Sequence, residues 1–371
     1  MKRTTPKTWI EISKKNLLRN LGEFKKRSGK TAIMAVIKAN AYGHGLKEVA
    51  SMLKTRPETM LGVDSLEEAL LARSAAPKNE IMILGYVPKK DLKFAIKKRF
   101  HVSLYDKEIL AHVNQLIKTG AINAGELRAH LKIETGTNRL GIRPEEIKNI
   151  NIPKLEGVYT HLAESESIKS NFYKKQVATL AAAKKILLSK NIVPKFTHTS
   201  CTAAIIQRGA LGGNLVRLGI GLYGLWPSEE LEKKFSGKIR IKPVLSWKTR
   251  LAQVKKVPAG ETVGYDRTHK AKAGKTIGIV PVGYYDGLDR RLSNTGNVLV
   301  NGKVAKIIGR VCMNMTMVDL SGASAKSGDE IVLIGRSGKK EISADEVAKE
   351  IGTINYEIVA RINPLTPRVI N

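Results

Sequence analysis

The first two thirds of the chain alternate between short apolar runs and longer amphipathic runs. Eight apolar runs have the length and polar boundaries of buried strands, at residues 32–39, 60–63, 81–86, 101–105, 127–134, 157–161, 196–199 and 215–219. The runs between them repeat with a helical period, at residues 16–27, 46–53, 66–73, 91–98, 107–118 and 171–190. Eight strands alternating with helices predict a (β/α)8 TIM-like barrel, although a doubly wound open sheet gives a similar alternation.

After Pro243 the pattern changes to a period of two, interrupted by glycines and polar turns. Such alternation is typical of antiparallel strands, and Asn301-Gly302 predicts a two-residue hairpin turn. The opening segment TTPKTWIEIS predicts one more strand on the same domain. We therefore expect a barrel domain at residues 11–235 and a mainly antiparallel β domain at residues 236–371, joined by an N-terminal strand at residues 1–10.

The chain has 371 residues with 64 basic and 33 acidic side chains, which give a formal net charge of +31. A basic surface attracts polyanions. Here, however, the basic residues are scattered in pairs such as Lys89-Lys90, and only 5% of all residues are aromatic. The chain therefore has few aromatic side chains on which nucleic-acid bases could stack, and no specific nucleic-acid partner is expected.

The two cysteines, Cys201 and Cys312, lie far apart without the spacing of a metal site or a disulfide framework, so no metal is expected. The chain shows neither a signal-peptide pattern nor an apolar run of about eighteen residues. We expect no membrane partner and a cytoplasmic location.

The segment AVIKANAYGHG places Lys38 at the carboxyl end of the first predicted strand, with Tyr42 four residues later. Barrel enzymes build their active sites at the carboxyl ends of the strands. Desolvation there would disfavour the charged amine, and a neutral amine forms a Schiff base with an aldehyde such as pyridoxal phosphate (PLP). The alternative is an ordinary lysine whose head group extends to solvent.

Other polar residues lie at later predicted strand ends: Arg139 after the fifth, His161 at the sixth, His198 at the seventh and Arg217 in the eighth. Each also has an ordinary explanation, because Arg139 could cap a helix and lone histidines are commonly satisfied core residues. Arg217 is harder to dismiss, since a guanidinium stays charged and needs acceptors. The convergence of these residues on one barrel mouth favours a functional site.

The sequence RLGIGLYG places Gly219 and Gly221 just after Arg217. Their backbone N–H groups could approach a phosphate near the eighth strand, although a Gly-x-Gly pair alone is also typical of a tight turn. Together with Lys38 as the Schiff-base amine and Tyr42 as a phenolic donor, the pair predicts a PLP site.

With these motifs the chain resembles the alanine racemase family over essentially its whole length. The resemblance is carried by AVIKANAYGHG at 35–45, HLKIETGTNRLG at 130–141, LEGVYTHLAESE at 155–166, VRLGIGLYG at 216–224, VGYDRTH at 263–269, GYYDG at 283–287, GRVCMNM at 309–315 and TINYEIVARI at 353–362. It implies a PLP-dependent isomerase that racemises L- and D-alanine, supplies D-alanine for peptidoglycan and forms a homodimer with active sites shared between subunits.

The resemblance further implies two catalytic bases on opposite faces of the substrate, Lys38 and a Tyr265 contributed by the second subunit. A phenol is a poor base at neutral pH unless a nearby cation stabilises its anion. Arg217 would hold the pyridine nitrogen of the cofactor unprotonated, because a guanidinium does not readily give up a proton. Related decarboxylases carry a carboxylate at that position. Without the resemblance, Tyr265 would be taken for an ordinary tyrosine of an amphipathic strand.

The same matching implies further roles. Residues expected to bind the cofactor are Lys38, Tyr42, Arg139, His161, Thr202, Arg217, Gly219, Ile220 and Tyr356. Arg139 and, from the second subunit, the backbone of Met313 are expected to bind the substrate carboxylate. Supporting residues are His198, Tyr284, Cys312, Asn314 and Lys132, the last as a carbamate that would anchor Arg139.

Several positions depart from the family pattern, among them three near the expected site. Cys201 stands where Asn is usual, Asn314 where Asp is usual, and Glu166 where Asp is commoner in the access corridor. These changes bear on substrate preference more than on reaction type, so racemisation of serine or of a broader set of amino acids is the alternative. A non-catalytic PLP-binding protein is the alternative of another class, and it would need Lys38 but neither Tyr265 nor a β domain.

Overall fold

A computed structural model describes residues 5–371, which divide into two compact units. The barrel unit comprises Asn16–Ala41 and Leu46–Lys242. The β unit comprises the described residues up to Lys15, Tyr42–Gly45 and Pro243–Asn371, and it contains strand β1 (Thr8–Ile12).

Within the described residues, eight parallel strands build the barrel unit. They are β2 (Ala32–Val36), β3 (Met60–Val63), β4 (Ile81–Ile83), β5 (His101–Leu104), β6 (Arg128–Lys132), β7 (Gly157–Tyr159), β8 (Phe196–His198) and β9 (Leu215–Leu218). Each lies within the predicted run, because apolar runs bounded by polar residues are typical of strands buried on both faces.

Helices connect these strands. They are α1 (Lys14–Ser28), α2 (Lys38–Tyr42), α3 (Leu46–Leu53), α4 (Leu66–Ala75), α5 (Lys89–Lys97), α6 (Lys107–Lys118), α7 (Pro144–Ile147), α8 (Phe172–Ser189), α9 (Thr202–Arg208), the 3-10 helix η1 (Ile220–Tyr223) and α10 (Glu229–Phe235). Ser65 and Asp106 cap α4 and α6 with their side-chain oxygens, which accept from otherwise unpaired N–H groups.

The strands follow chain order around the barrel from β2 to β8, and β9 pairs in parallel with β2. Between β8 and β9 the connection consists of single hydrogen bonds, from Asn214 N to Thr197 O (3.0 Å) and from Arg217 N to Ser200 O (2.9 Å). The sheet is therefore nearly closed. This confirms the predicted (β/α)8 class and excludes the open doubly wound sheet.

One cluster of buried side chains lies in the barrel interior. It joins residues of five strands, Met34, Met60, Met82, Tyr159 and Leu215. Contacts between strands that are not neighbours in the sheet are possible only across the interior, so these side chains form the apolar layer beneath the polar strand ends.

The β unit adds strands after Pro243: β10 (Leu245–Arg250), β11 (Gln253–Val257), β12 (Thr262–Val263), β13 (His269–Lys270), β14 (Lys275–Val280), β15 (Asn297–Val300), β16 (Lys303–Ile308), β17 (Thr316–Asp319), β18 (Glu330–Ser337), β19 (Lys340–Ile342) and β20 (Arg368–Ile370). It also contains α11 (Ala344–Ile351), α12 (Asn355–Ala360) and three 3-10 helices, η2 (Tyr265–Arg267), η3 (Tyr284–Asp286) and η4 (Arg290–Leu292). The main sheet has the order β11-β14-β17-β16-β15-β18-β10-β1-β20, and its pairs are antiparallel except β1 with β20. The predicted mainly antiparallel unit is confirmed.

The hairpin predicted at Asn301-Gly302 is confirmed. Both residues have positive φ, 49° and 77°, and they join β15 to β16. Two residues with positive φ define the type I′ turn, whose twist matches that of the flanking strands.

The units begin and end several residues away from the predicted boundaries. Residues 236–242 stay with the barrel unit, because the backbone of Lys242 bonds to Asn20 and that of Arg240 to Glu23. The opening strand β1 pairs with β10 as far as Ile12, which keeps it with the β unit. Residues 1–4 of the predicted N-terminal strand lie outside the described residues.

No helix among residues 5–371 combines the length and the apolarity needed to span a membrane.

Asn20 ties α1 to the segment that leaves the barrel. Its Nδ2 donates to the carbonyls of Leu222 (3.1 Å) and Lys242 (2.8 Å), and its Oδ1 accepts from Lys242 N (2.9 Å).

Asn20→Leu is expected to lower the free energy of unfolding by about 2–4 kcal/mol, because buried backbone groups lose their partners. Urea unfolding followed by circular dichroism measures the loss. Asn114→Leu, which removes one bond to Asn151 O, is the control and should cost less than about 1 kcal/mol; equal losses would contradict the assignment.

Candidate active site

Lys38 begins α2, immediately after Ile37 at the carboxyl end of β2. Its Nζ lies 3.0 Å from Oδ1 of Asp64, which follows β3, and its side chain is 42% exposed. The expectation that this amine is desolvated is therefore wrong, because the barrel mouth leaves it half-exposed and paired with an anion. The predicted placement at a strand end is found, and the carboxylate partner was not foreseen.

The backbone after Lys38 makes a left-handed turn. Residues 39–42 all have φ of 52° or 53°, and each such non-glycine residue costs about 1–2 kcal/mol. Asn40 supports the turn from both sides, since its N–H donates to Glu68 Oε1 (3.3 Å) and its Oδ1 accepts from Leu46 N (2.9 Å). Backbone strain of this kind clusters at functional sites.

Arg217 is a fixed, buried cation. Its Nη1 donates to Nδ1 (2.8 Å) and to the carbonyl of His198 (2.9 Å), and its Nη2 donates to the carbonyls of Thr160 (2.7 Å) and Thr199 (3.1 Å). The residue is 5% exposed, and burial lowers the pKa of Arg217. A guanidinium nevertheless remains charged and can only donate. The acceptors around Arg217 therefore determine its orientation.

An aromatic ring lies beneath this cation. The ring of Tyr159 stacks on the imidazole of His198, with centroids 4.5 Å apart and planes 4° apart, and the Arg217 guanidinium lies 5.4 Å from the same ring. Burial raises the pKa of Tyr159 to about 12, and its hydroxyl bonds to Ser103 Oγ at 2.8 Å. The ring is thus a neutral, immobile support.

Lys132 is almost entirely buried, and its Nζ lies 5.7 Å from the centroid of the Tyr159 ring. Burial, together with the charges of Arg139 and Arg217, lowers the pKa of Lys132 to about 8. The predicted proximity of Lys132 to other cations is therefore present in the structure.

His161 and Arg139 lie in the same group of charges. Burial, together with the charges of Arg217 and Arg139, lowers the pKa of His161 to about 3, so its imidazole is neutral at neutral pH. His161 Nδ1 lies 3.4 Å from Arg217 Nη2. Arg139 is exposed in the loop after β6, where its backbone N–H donates to Glu134 Oε2 at 3.3 Å.

The predicted phosphate-binding amides converge on one hydroxyl. Thr202 Oγ1 accepts from the N–H groups of Gly219 (3.0 Å) and Gly221 (3.5 Å). A Cβ on Gly221 would lie 2.5 Å from Phe24, so this position requires glycine. Ile220, between the two glycines, is buried at the start of η1.

In the β unit, two predicted site tyrosines contact each other, and Tyr265 lies elsewhere. The rings of Tyr42 and Tyr356 have centroids 6.1 Å apart. Tyr265 begins η2 after Gly264, whose φ is 78°, and its side chain is 71% exposed. The ordinary interpretation of Tyr265 as a strand residue is therefore wrong, because the glycine turn takes it out of the strand pattern.

Another group of predicted residues comes together around Gly283. Tyr284 N donates to Cys312 O (3.0 Å), and a Cβ on Gly283 would lie 2.1 Å from that oxygen. Met313 is 56% exposed and Asn314 is also exposed. Burial raises the pKa of the Cys312 thiol, so this cysteine is not activated as a nucleophile.

Sequence reasoning missed Asp64, Tyr159 and two further histidines, His101 and His130. A signal for the histidines exists, since alternate strand residues share a face and His130 therefore shares one with Lys132. Polar residues repeated on one face of an otherwise buried strand indicate a polar barrel interior.

A nearly closed barrel with charged side chains at its strand ends, followed by an antiparallel β unit, defines a barrel enzyme with a site at the carboxyl ends of the strands. Family models for the alanine racemase N-terminal domain and C-terminal domain match residues 12–227 and 244–370. The chain belongs to the alanine racemase family, and the family is one of isomerases.

Individual relatives extend over nearly the whole chain. The alanine racemase of Carboxydothermus hydrogenoformans is 38% identical over 97% of this chain and 98% of its own length, and that of Halothermothrix orenii is 37% identical over 99% and 97%. Among solved structures, the alanine racemase of Bacillus anthracis with bound L-Ala-P has a TM-score of 0.92 at 34% identity, covering 100% of this chain and 96% of its own. The alanine racemase of Clostridium difficile has a TM-score of 0.91 at 31% identity, covering 100% and 97%.

The lowered pKa of Lys132, about 8, makes carbamate formation testable by pH. The neutral amine attacks the carbon of CO2 and releases a proton, so the modified fraction should rise as the pH passes from about one unit below that pKa to about one unit above it. NMR of the full chain in 13C-labelled bicarbonate should show a carbamate carbon that Lys132→Gln lacks. The same signal in Lys132→Gln, or an unmodified Lys132 by native mass spectrometry, would contradict the expectation.

Proposed function

We propose that this chain interconverts L-alanine and D-alanine with pyridoxal phosphate as cofactor. The observation that carries the proposal is the buried Arg217 guanidinium, held by carbonyls and an imidazole in the barrel unit whose strand ends also present Lys38. The relatives named alanine racemase support the choice of substrate. Following the resemblance, we place the activity in a cytoplasmic homodimer that supplies D-alanine for peptidoglycan.

The donor set of the barrel unit fits the cofactor. Lys38 offers a primary amine, and the Thr202 hydroxyl, whose oxygen accepts from the N–H groups of Gly219 and Gly221, keeps its own O–H to donate to a phosphate. The hydroxyl of Thr199, beside His198, is buried without a hydrogen-bond partner among the described residues. Buried polar groups normally have partners, so this one indicates a site built for a polar ligand.

When bound, pyridoxal phosphate supplies a carbonyl carbon that condenses with amines and a ring that draws electrons from the Cα of an amino acid. Arg217 would pair with the ring nitrogen as a donor only, because its proton stays on the guanidinium. This moderates how strongly electrons are drawn from Cα. It favours simple proton exchange there over loss of carbon dioxide.

Racemisation removes the Cα proton from one face and returns a proton to the other. We assign one face to the Lys38 amine and the other to the phenol of Tyr265 from a second copy of the chain. The 71% exposure of Tyr265 supports this assignment, since a side chain that serves another subunit must extend from its own.

We assign substrate binding to Arg139 and to the backbone of Met313 from a second copy of the chain, since both residues are exposed and a guanidinium pairs well with a carboxylate. Tyr356, whose ring lies near that of Tyr42, would limit the size of the substrate side chain. Cys201 and Asn314 depart from the family pattern, so the test must include amino acids other than alanine.

The proposal predicts D-amino-acid formation, measured by chiral chromatography across a panel of L-amino acids. D-alanine should form fastest, and the protein should be yellow and lose its colour on borohydride reduction. Lys38→Ala should be colourless and at least roughly a thousandfold slower, because covalent attachment and one base are both lost. A colourless unaltered chain would contradict the use of pyridoxal phosphate, and D-serine as the main product would shift the substrate from alanine.

Shared active sites predict subunit complementation. Lys38→Ala and Tyr265→Ala chains should each be inactive, yet mixing them should restore up to about one quarter of wild-type activity, since hybrid dimers carry one intact site. The restored activity is measured after mixed refolding or co-expression, with each variant mixed with itself as control. Tyr265→Phe should impair Cα-proton exchange from one enantiomer more than from the other; equal impairment, or no restored activity in an established hybrid dimer, would contradict the two-base scheme.

A further inference from the structure

A row of buried imidazoles crosses the barrel unit from Arg217 to Glu80. Arg217 Nη1 lies 2.8 Å from His198 Nδ1, His198 Nε2 lies 2.9 Å from His130 Nδ1, and His130 Nε2 lies 3.0 Å from His101 Nδ1. His101 Nε2 then lies 3.2 Å from Glu80 Oε2. These four contacts form one continuous hydrogen-bonded chain, which we call the imidazole relay.

The hydrogen bonds of the relay can run in only one direction, with each donor on the side of Arg217 and each acceptor on the side of Glu80. The guanidinium can only donate, so His198 Nδ1 must accept and its Nε2 must carry the proton. His130 and His101 likewise accept at Nδ1 and carry their proton at Nε2. The Nε2–H of His101 then donates to the carboxylate of Glu80. All three imidazoles are therefore neutral, and each is protonated at Nε2.

The relay joins opposite ends of the barrel. Glu80 precedes β4 and His101 begins β5, at the amino ends of the strands, whereas His198 ends β8 at the carboxyl end. The three histidines are at most 2% exposed. The barrel interior thus carries a polar path from one face to the other.

The barrel provides space for this path at Gly157. This residue lies opposite His130 in the register of β6 and β7, and a Cβ there would lie 2.2 Å from His130 Nδ1. Glycine at this position is therefore a requirement of the relay itself.

The charges at the two ends complement the direction of the relay. Arg217 has no carboxylate partner among the described residues, whereas the hydrogen bond from His101 and the nearby Arg128 lower the pKa of Glu80 to about 2. Each neutral imidazole turns its lone pair toward the cation and its N–H toward the anion. Burial also lowers the pKa values of His130 and His198 well below their usual range, which keeps both neutral.

We propose that Glu80, His101 and His130 are positioning residues, which act through His198 to hold the Arg217 guanidinium in place at the barrel mouth. The role of Arg217 toward the cofactor rests on the proposed function. The relay itself rests on the hydrogen bonds alone.

Imidazole 15N NMR of the full-length, cofactor-loaded protein tests the relay directly. His101, His130 and His198 should each show an unprotonated Nδ1 and a protonated Nε2 at neutral pH, with signals assigned by single His→Gln variants. A protonated Nδ1 at any of the three would overturn the proposal.

Variants at the far end test whether the relay acts on the site. Glu80→Leu removes the terminal acceptor and should shift the His198 resonances and lower kcat about three- to tenfold, with KM little changed, because one hydrogen bond of the path is lost. Glu80→Gln keeps an oxygen acceptor and should shift the His198 resonances less. Unchanged His198 resonances in Glu80→Leu, or equal shifts in both variants, would overturn the proposal.

Glu156→Gln is the matched control. Glu156 lines the same cavity of about 240 Å³ as Glu80 and pairs with Lys195 at 3.6 Å, outside the relay, so kcat and the His198 resonances should not change.

Gly157→Ala provides a second perturbation and should displace His130 and shift the His198 resonances; a folded Gly157→Ala protein with unshifted His198 would overturn the proposal. Absence of D-alanine formation in the unaltered chain would contradict the proposed function, while the imidazole spectra would still decide the relay.

Discussion

The structure of the barrel unit depends on one constraint, a guanidinium that is buried and cannot become neutral. Arg217 needs acceptors on every side, and it finds them in the carbonyls at the ends of β7 and β8 and in the imidazole of His198. Breaking such a network by removing one partner costs more than the network contributes net, because an uncompensated charge remains. The strand ends around Arg217 are therefore fixed in place by that charge.

Much of the fold could be predicted from the sequence, because strands buried on both faces consist of short apolar runs. The strand at Met60–Val63 and the helices at Leu46–Leu53 and Lys107–Lys118 match their predicted limits. The first barrel strand, β2, ends at Val36 and not at residue 39 as predicted, because a hydrophobic pattern carries no information on the sign of φ in the turn that follows. Helix α11 was missed although Ser343 and Glu346 form a capping box, a local signal that the dominant two-residue period obscured.

Less of the site could be predicted. Residues at strand ends, such as Lys38 and Arg217, can be placed by topology, since a barrel brings all those ends to one face. Asp64 was missed although it follows β3, the neighbour of the strand that ends before Lys38. The His101 and His130 members of the relay were missed because a search for apolar runs gives no weight to the polar side chains that those runs contain. The exposure of Lys38 was misjudged for another reason, since a strand end predicts a location and not the openness of the mouth around it.

The left-handed turn at residues 39–42 has a consequence for assembly. Four successive non-glycine residues with positive φ cost several kcal/mol in isolation, roughly 4–8 by the usual increment, and Asn40 alone among them is of a type that tolerates this conformation well. The supports of Asn40 come from Glu68 and Leu46, which are in place only once the strands and helices around them are formed. The backbone conformation that follows Lys38 is therefore supported only in the folded barrel unit, and an unfolded chain lacks it.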